Sequence, residues 1–260
     1  MRARLRLAAC VLAAATVAAC SNPLGRQYEY DEQTYLAVDG SATVVVNSSL
    51  PALVALRGAS LDPKPDGSAD RDAIRQMYQS AGCAVDKVGR FWYRRGRRFV
   101  QVQVSTNDVR TLSKCALLSW SAYSLGPDDE APGGLRFQQT VSPPAGKDPG
   151  TVNWDGSELM AFKLHAPSKI RFQNVKKLDG TNGSTERGNI LTWEQHLADR
   201  RAGRPVDIAV QLEPQSILYR TLWLFAGAIA AALVTIAAVV VMVARRGRRR
   251  LASTGPRPRP

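Results

Sequence analysis

The chain has 260 residues, 45% of them hydrophobic, with a formal charge of +13, four Cys and two His. Three Arg at the extreme N-terminus and seven beyond Ala244 hold most of that charge and leave +3 for everything between. The excess is therefore a topology signal rather than a nucleic-acid surface, and with no HxxH, HExxH or CxxC spacing and no glycine-rich phosphate loop, no metal or nucleotide site is legible.

The first segment, residues 1–19, reads as a signal peptide: a basic MRARLR followed by an apolar run from Leu7 to Ala19, too short to span a bilayer. It ends Val17-Ala18-Ala19-Cys20, which resembles the cleavage box of bacterial lipoproteins, so Cys20 is the expected lipidation site. Cys10 leaves with the signal. Residues 20–215 are expected to form one α+β domain outside the cytoplasm, long enough for a sizeable core.

Within it, Arg26–Val38 reads as a strand, Asp39-Gly40 as a hairpin turn, and Ser41–Val46 as the returning strand. Asn47-Ser48-Ser49 offers an N-cap for a short helix over Leu50–Arg57, with Pro51 in its first turn and Gly58 ending it. A loop covers Asp62–Gly67. The spacing of Ile74, Met77, Tyr78 and Ala81 predicts a helix over Asp70–Ala81, with Gly82 as its C-cap.

Cys83–Tyr93 and Phe99–Ser105 predict a hairpin around Arg94-Arg95-Gly96-Arg97-Arg98; Val100, Val102 and Val104 alternate with Gln101 and Gln103 along its second arm. Asn107 caps a short helix over Asp108–Lys114. Strands are expected at Ala116–Leu125, Leu135–Val141, Glu158–His165, Lys169–Val175, Asn189–Gln195 and Pro205–Leu212, with Glu213-Pro214 closing the domain. The fold class is thus α+β, a largely antiparallel sheet with about three short helices, plus one C-terminal transmembrane helix.

That helix occupies residues 216–244 including its interfacial lead-in. Leu222–Ala244 carries no charge, proline or amide, and 23 residues at about 1.5 Å each span a hydrocarbon core. Tyr219, Arg220 and Trp223 stand where interfacial anchors belong. Residues 245–260 read as a disordered basic tail; the Arg cluster Arg245–Arg250 places it in the cytoplasm, and the domain across the cytoplasmic (inner) membrane.

Cys83 and Cys115 are the cysteines left in the domain. In an oxidising compartment they pair as a disulfide or remain as two buried thiols, and the sequence leaves both open. His165 and His196 read as satisfied polar residues. The hairpin is the most suggestive local feature: Arg94, Arg95, Arg97 and Arg98 cluster at one turn with Trp92 beside them, a composition suited to anionic lipid headgroups.

The layout as a whole is similar to the LppM-type bacterial membrane lipoproteins. Local carriers of the resemblance are Asp39-Gly40-Ser41-Ala42-Thr43-Val44-Val45-Val46 running into an apolar helix, then Pro167-Ser168-Lys169-Ile170, Asn174 and Gly188-Asn189-Ile190-Leu191-Thr192-Trp193. Asp62–Asp155 is long for that family and reads as an insertion. The resemblance implies a sheet curled around a helix, with a cavity for an envelope lipid.

The expected function is a non-enzymatic, membrane-anchored envelope protein. It binds an envelope lipid or scaffolds a protein partner, with membrane lipids or another envelope protein as partners, no nucleic acid and no cofactor. The alternative is an envelope hydrolase or transferase, which requires His165 or His196 to meet a Cys, Ser or acid in a pocket. A cleft of apolar side chains with its mouth near the basic hairpin favours lipid; a flat apolar patch favours a protein.

Overall fold

The computed structural model describes residues 26–67, 69–80, 83–130 and 132–253. The signal segment, Cys20, the helix-ending Ala81 and Gly82, and the last part of the basic tail lie outside the described residues.

β1 (Tyr28–Leu36) and β2 (Ala42–Ser49) form an antiparallel hairpin. Its turn is set by Asp39, whose carboxylate accepts from the amide and hydroxyl of Ser41, and by Gly40 at φ 88°. α1 (Leu50–Arg57) follows β2 without a loop. The Ser49 hydroxyl accepts from the Ala52 amide at 3.2 Å, Pro51 fills the first turn, and Gly58 closes the helix in the left-handed region. Seven of its eight residues are buried, so this helix is apolar all round and belongs inside. One side packs on β1, β2 and β5. The loop around residues 143–155 covers the other side so closely that a Cβ on Gly146 would lie 1.6 Å from the Ala55 carbonyl oxygen.

α2 (Arg71–Tyr78) is capped by Asp70 and buries Ile74 and Tyr78. It stops short of the predicted Ala81, since Gln79 is already extended and Ser80 pairs with Cys83. That turn delivers Cys83 to Cys115, and the two form a disulfide with Cα atoms 5.4 Å apart. β3 (Ala84–Val88), β4 (Trp92–Arg94) and β5 (Arg97–Thr106) come next, the first two both pairing with β5.

Val109–Lys114 is a 3₁₀ segment, and a second one at Ala116–Leu118 replaces the start of the expected strand. Here the Leu117 carbonyl is taken by the Arg57 guanidinium at 2.8 Å rather than by a neighbouring strand. β6 (Ser121–Pro127), β7 (Leu135–Val141), β8 (Leu159–His165), β9 (Ser168–Gln173) and β10 (Ile190–His196) follow, then α3 (Leu197–Arg201), which no local pattern announced.

The strands make two sheets. The larger runs β10-β8-β1-β2-β5-β3, with β4 also on β5; the smaller runs β6-β7-β11-β9, where β11 is Val206–Ser216. β1–β8 is the parallel pair and the other strand pairs are antiparallel. Alternation fills the space between them: Val44, Val46, Val100, Val102 and Val104 meet Phe137, Ile208 and Val210 in one core. Asp62–Asp155 is no appendage, because it supplies β3, β4 and β5 of one sheet and β6 and β7 of the other.

β11 runs past the expected end at Leu212. Pro214 is accommodated because pairing with β7 ends at Leu212 and the ladder to β9 shifts register there. The strand passes directly into α4 (Ile217–Ser253), rooted where Ser216 pairs with Ser168 and the Ile217 amide donates to the Pro167 carbonyl at 3.1 Å. Within its first 29 residues, Ile217–Arg245, the most apolar 18 have a mean hydropathy of 2.7 and are left uncovered by the domain, so α4 is long and apolar enough to cross a membrane. Tyr219 and Trp223 meet edge to face near its start. The helix continues to Ser253 where a disordered tail was expected from residue 245; extending a formed helix needs no new nucleus, and Arg, Leu and Ala are good helix formers.

Candidate functional site

The β4–β5 hairpin closes on two residues, Arg95 at φ 49° and Gly96 at φ 70°. Positive φ at both centres is the tight-hairpin geometry that normally selects Asn, Asp or Gly in the first position. An arginine there costs roughly 1–2 kcal/mol of backbone strain.

The turn is so short that it divides the arginine cluster. Arg97 is the first residue of β5 and only 4% exposed. Its Nε and Nη2 donate to Glu29 Oε1 at 3.1 and 2.9 Å, Nη1 donates to the Asn153 carbonyl at 2.5 Å, and Glu158 lies 3.8 Å away. Arg98, 7% exposed, points to the other face and sits over the Phe91 ring at 5.2 Å. Arg94 is half-buried, donates to the Tyr28 carbonyl, and lies over the Phe99 ring at 4.2 Å; burial pulls its pKa below the ordinary arginine value. Trp92, also half-buried, stacks on Phe99. A headgroup role for Arg97 and Arg98 is thus corrected: both side chains are buried, Arg97 bonded to Glu29 and a loop carbonyl and Arg98 lying over Phe91. Of the four, Arg95 alone is exposed.

Beneath this turn opens a cleft of about 600 Å³. Its walls include Pro51, Pro63, Pro65, Pro149 and Val152, and its rim carries Lys64 and Arg95. Proline walls are stiff, since each ring fixes its own φ. The loop bearing Pro63–Pro65 is tied to the hairpin by the Tyr93 hydroxyl, which donates to the Pro65 carbonyl at 3.1 Å. Asp155 balances part of the rim's charge; hydrogen bonds from Ser157, and then the charges of Arg95 and Arg97, hold its carboxyl below the usual range.

A second polar cluster, missed in the sequence, lies between the two sheets. Glu32 is 1% exposed and accepts from the hydroxyls of Tyr30 and Tyr123 at 2.7 and 2.9 Å and from Gln139 Nε2 at 2.9 Å. Burial raises its pKa, while those three bonds act against the rise. Nearby, Trp120 is flanked by the guanidinium groups of Arg57 and Arg200 at 4.8 and 5.0 Å from its ring. Tyr30 and Glu32, two apart on one strand, are the only local hint that a carboxylate turns inward here.

His165 stacks on Tyr35 with ring centroids 3.9 Å apart and shares a hydrogen bond with Gln33. His196 ends β10 at the start of α3. Neither lines the cleft below Arg95, and both domain cysteines are in the disulfide.

No known protein family matches the chain, and no curated protein matches it in sequence. Among solved structures it is similar to the folded domain of LppM from Mycobacterium tuberculosis, determined by NMR: 12% identity, 73% of this chain and 95% of that one covered, TM-score 0.37. A likeness of that size carries no argument about function.

Proposed function

We propose that the chain is a single-pass protein of the cytoplasmic membrane whose domain outside the cytoplasm is a binding module rather than a catalyst. Its ligand is the anionic headgroup of an envelope lipid, received in the cleft below the Arg95-Gly96 turn. The observation that carries this reading is the pairing of stiff apolar walls with two exposed cations, Lys64 and Arg95, at one mouth. Apolar walls with a few placed polar groups are the usual make-up of a small-molecule site. The exposed apolar side chains of the domain, Tyr35, Tyr93, Phe172 and Leu178, come from separate strands and loops, which favours lipid over a broad protein interface.

The test is native extraction of the full chain followed by mass spectrometry of co-purifying lipids, beside the Lys64→Ser/Arg95→Ser double variant. An anionic lipid enriched with the wild type and depleted from the variant is expected. Equal retention by both proteins, or no lipid enriched above the bulk membrane, overturns the reading.

A further inference from the structure

The cleft and the root of α4 sit at opposite ends of the larger sheet. Strand register fixes this. His165 pairs with Tyr35, Leu36 with Ala42, and Ala42 with Thr106, so the Thr106 end of β5 is level with the corner at Pro167 where α4 is rooted. The other end of β5 is Arg97, beside the Arg95-Gly96 turn. Arg97 and Thr106 are the two ends of this ten-residue strand, roughly 30 Å apart at about 3.3 Å per residue.

Three further observations bear on which way the cleft faces. No linker lies between β11 and α4, and the junction is paired to β9 and bonded to Pro167, so the domain has no slack with which to fold its far end back. At the far end Lys64 and Arg95 are exposed at the mouth of the cleft, with Asp155 near enough to feel the charge of Arg95, whereas at the root end the exposed Glu130 is paired with Arg136 at 2.9 Å and Lys169 lies 3.4 Å from Glu213. Finally, an arginine stands at a left-handed position where glycine would relax the backbone, and an observed strain of this kind points to a role for the side chain.

We infer that the cleft takes its headgroup from an anionic lipid surface facing the far end of the domain, in trans to the bilayer that α4 enters. This rests on the lipid-binding reading above and adds the direction from which the ligand comes. Arg95 and Lys64 are the headgroup contacts, and the proline walls receive the adjoining apolar part of the lipid.

The experiment uses the full chain in phosphatidylcholine proteoliposomes, with outward-facing molecules scored by protease accessibility. Protein-free vesicles containing phosphatidylglycerol are added, and capture is read by co-flotation. Capture is expected with the wild type. It falls roughly thirtyfold in Lys64→Ser/Arg95→Ser and roughly fivefold in Arg95→Gly, as the loss of two cations or one near an anionic surface requires. Arg95→Gly relieves the backbone, so its loss of capture cannot come from misfolding. In a second arm phosphatidylglycerol is placed in the protein's own bilayer, and capture of added vesicles is expected to persist.

Capture abolished by lipid in the same bilayer, or lipid retained from that bilayer in a Lys64- and Arg95-dependent way without capture in trans, overturns this inference and leaves the lipid-binding reading standing. Capture unchanged in both variants overturns it as well. No engagement of phosphatidylglycerol in either arm, together with no lipid enriched on native extraction, removes both.

Discussion

Glu29 and Glu32 stand three residues apart on β1, face opposite sides of the sheet, and are 4% and 1% exposed, yet they are held by opposite means. Glu29 is met by a charge: Arg97 reaches it with two nitrogens and uses a third on a loop carbonyl, tying β1, β5 and the 143–158 loop together. Glu32 is met by neutral donors, two tyrosines and one amide, drawn from both sheets. A paired charge locks loops at the sheet's end beside the cleft, whereas neutral donors bond Glu32 across the space between the two sheets, with the Arg57 and Arg200 guanidinium groups held apart from it on the Trp120 ring.

The largest effect should come from breaking the first device. Arg97→Met leaves Glu29 and Glu158 buried without their cation, and a loss of about 3–5 kcal/mol is expected in urea unfolding of the protein in detergent. A loss below about 1 kcal/mol would place Arg97 among dispensable surface pairs. Next, Cys83→Ser with Cys115→Ser touches neither acid. Opening a loop of 32 residues should cost about 3–4 kcal/mol in the chain-entropy view, by the same amount at pH 4 and pH 8.

The second device is separated from the first by pH. Burial raises the folded-state pKa of Glu32 above its ordinary 4.5. The protonated acid is therefore favoured by folding: this contribution is fully present below pH 4.5 and is lost as pH rises through the folded value. Glu32→Gln should remove that slope and otherwise change stability by about 1 kcal/mol. Unfolding midpoints of the two proteins across pH 4–8 should converge or cross as pH rises, and parallel curves would show that Glu32 is not the titrating group. The smallest effect has the opposite sign. Arg95→Gly should stabilise the chain by about 1 kcal/mol through relief of the left-handed arginine, next door to the most damaging position in the molecule.

That contrast between neighbours also marks what was readable beforehand. α1 was legible to the residue because its signals are local: Ser49, Pro51 and Gly58 act within one turn of the chain. β7 was legible for the same reason, its alternation bounded by turn residues. The fate of the arginines was not. Their run reads as a solvated tip, and nothing nearby shows that Glu29, 68 residues earlier, and Glu158 wait for Arg97. Likewise the 3₁₀ turn at Ala116–Leu118 depends on Arg57 arriving from α1, and the far end of β11 on pairing with β9. Between a cleft beside the basic hairpin and a flat apolar patch the sequence left the choice open, because the walls of the candidate cleft come from loops whose meeting no sequence period records.

The unbroken passage from β11 into α4 has a mechanical meaning. β11 is an inner strand, bonded to β7 on one side and β9 on the other. Tension applied at Ser216 along the strand loads those ladders in shear, so many bonds share the force at once, whereas an edge hairpin would peel open bond by bond. If the far end of the domain is held by a second surface, strain between the two attachments would be carried through the strongest direction of the smaller sheet, and the hairpin at Arg95 would yield first.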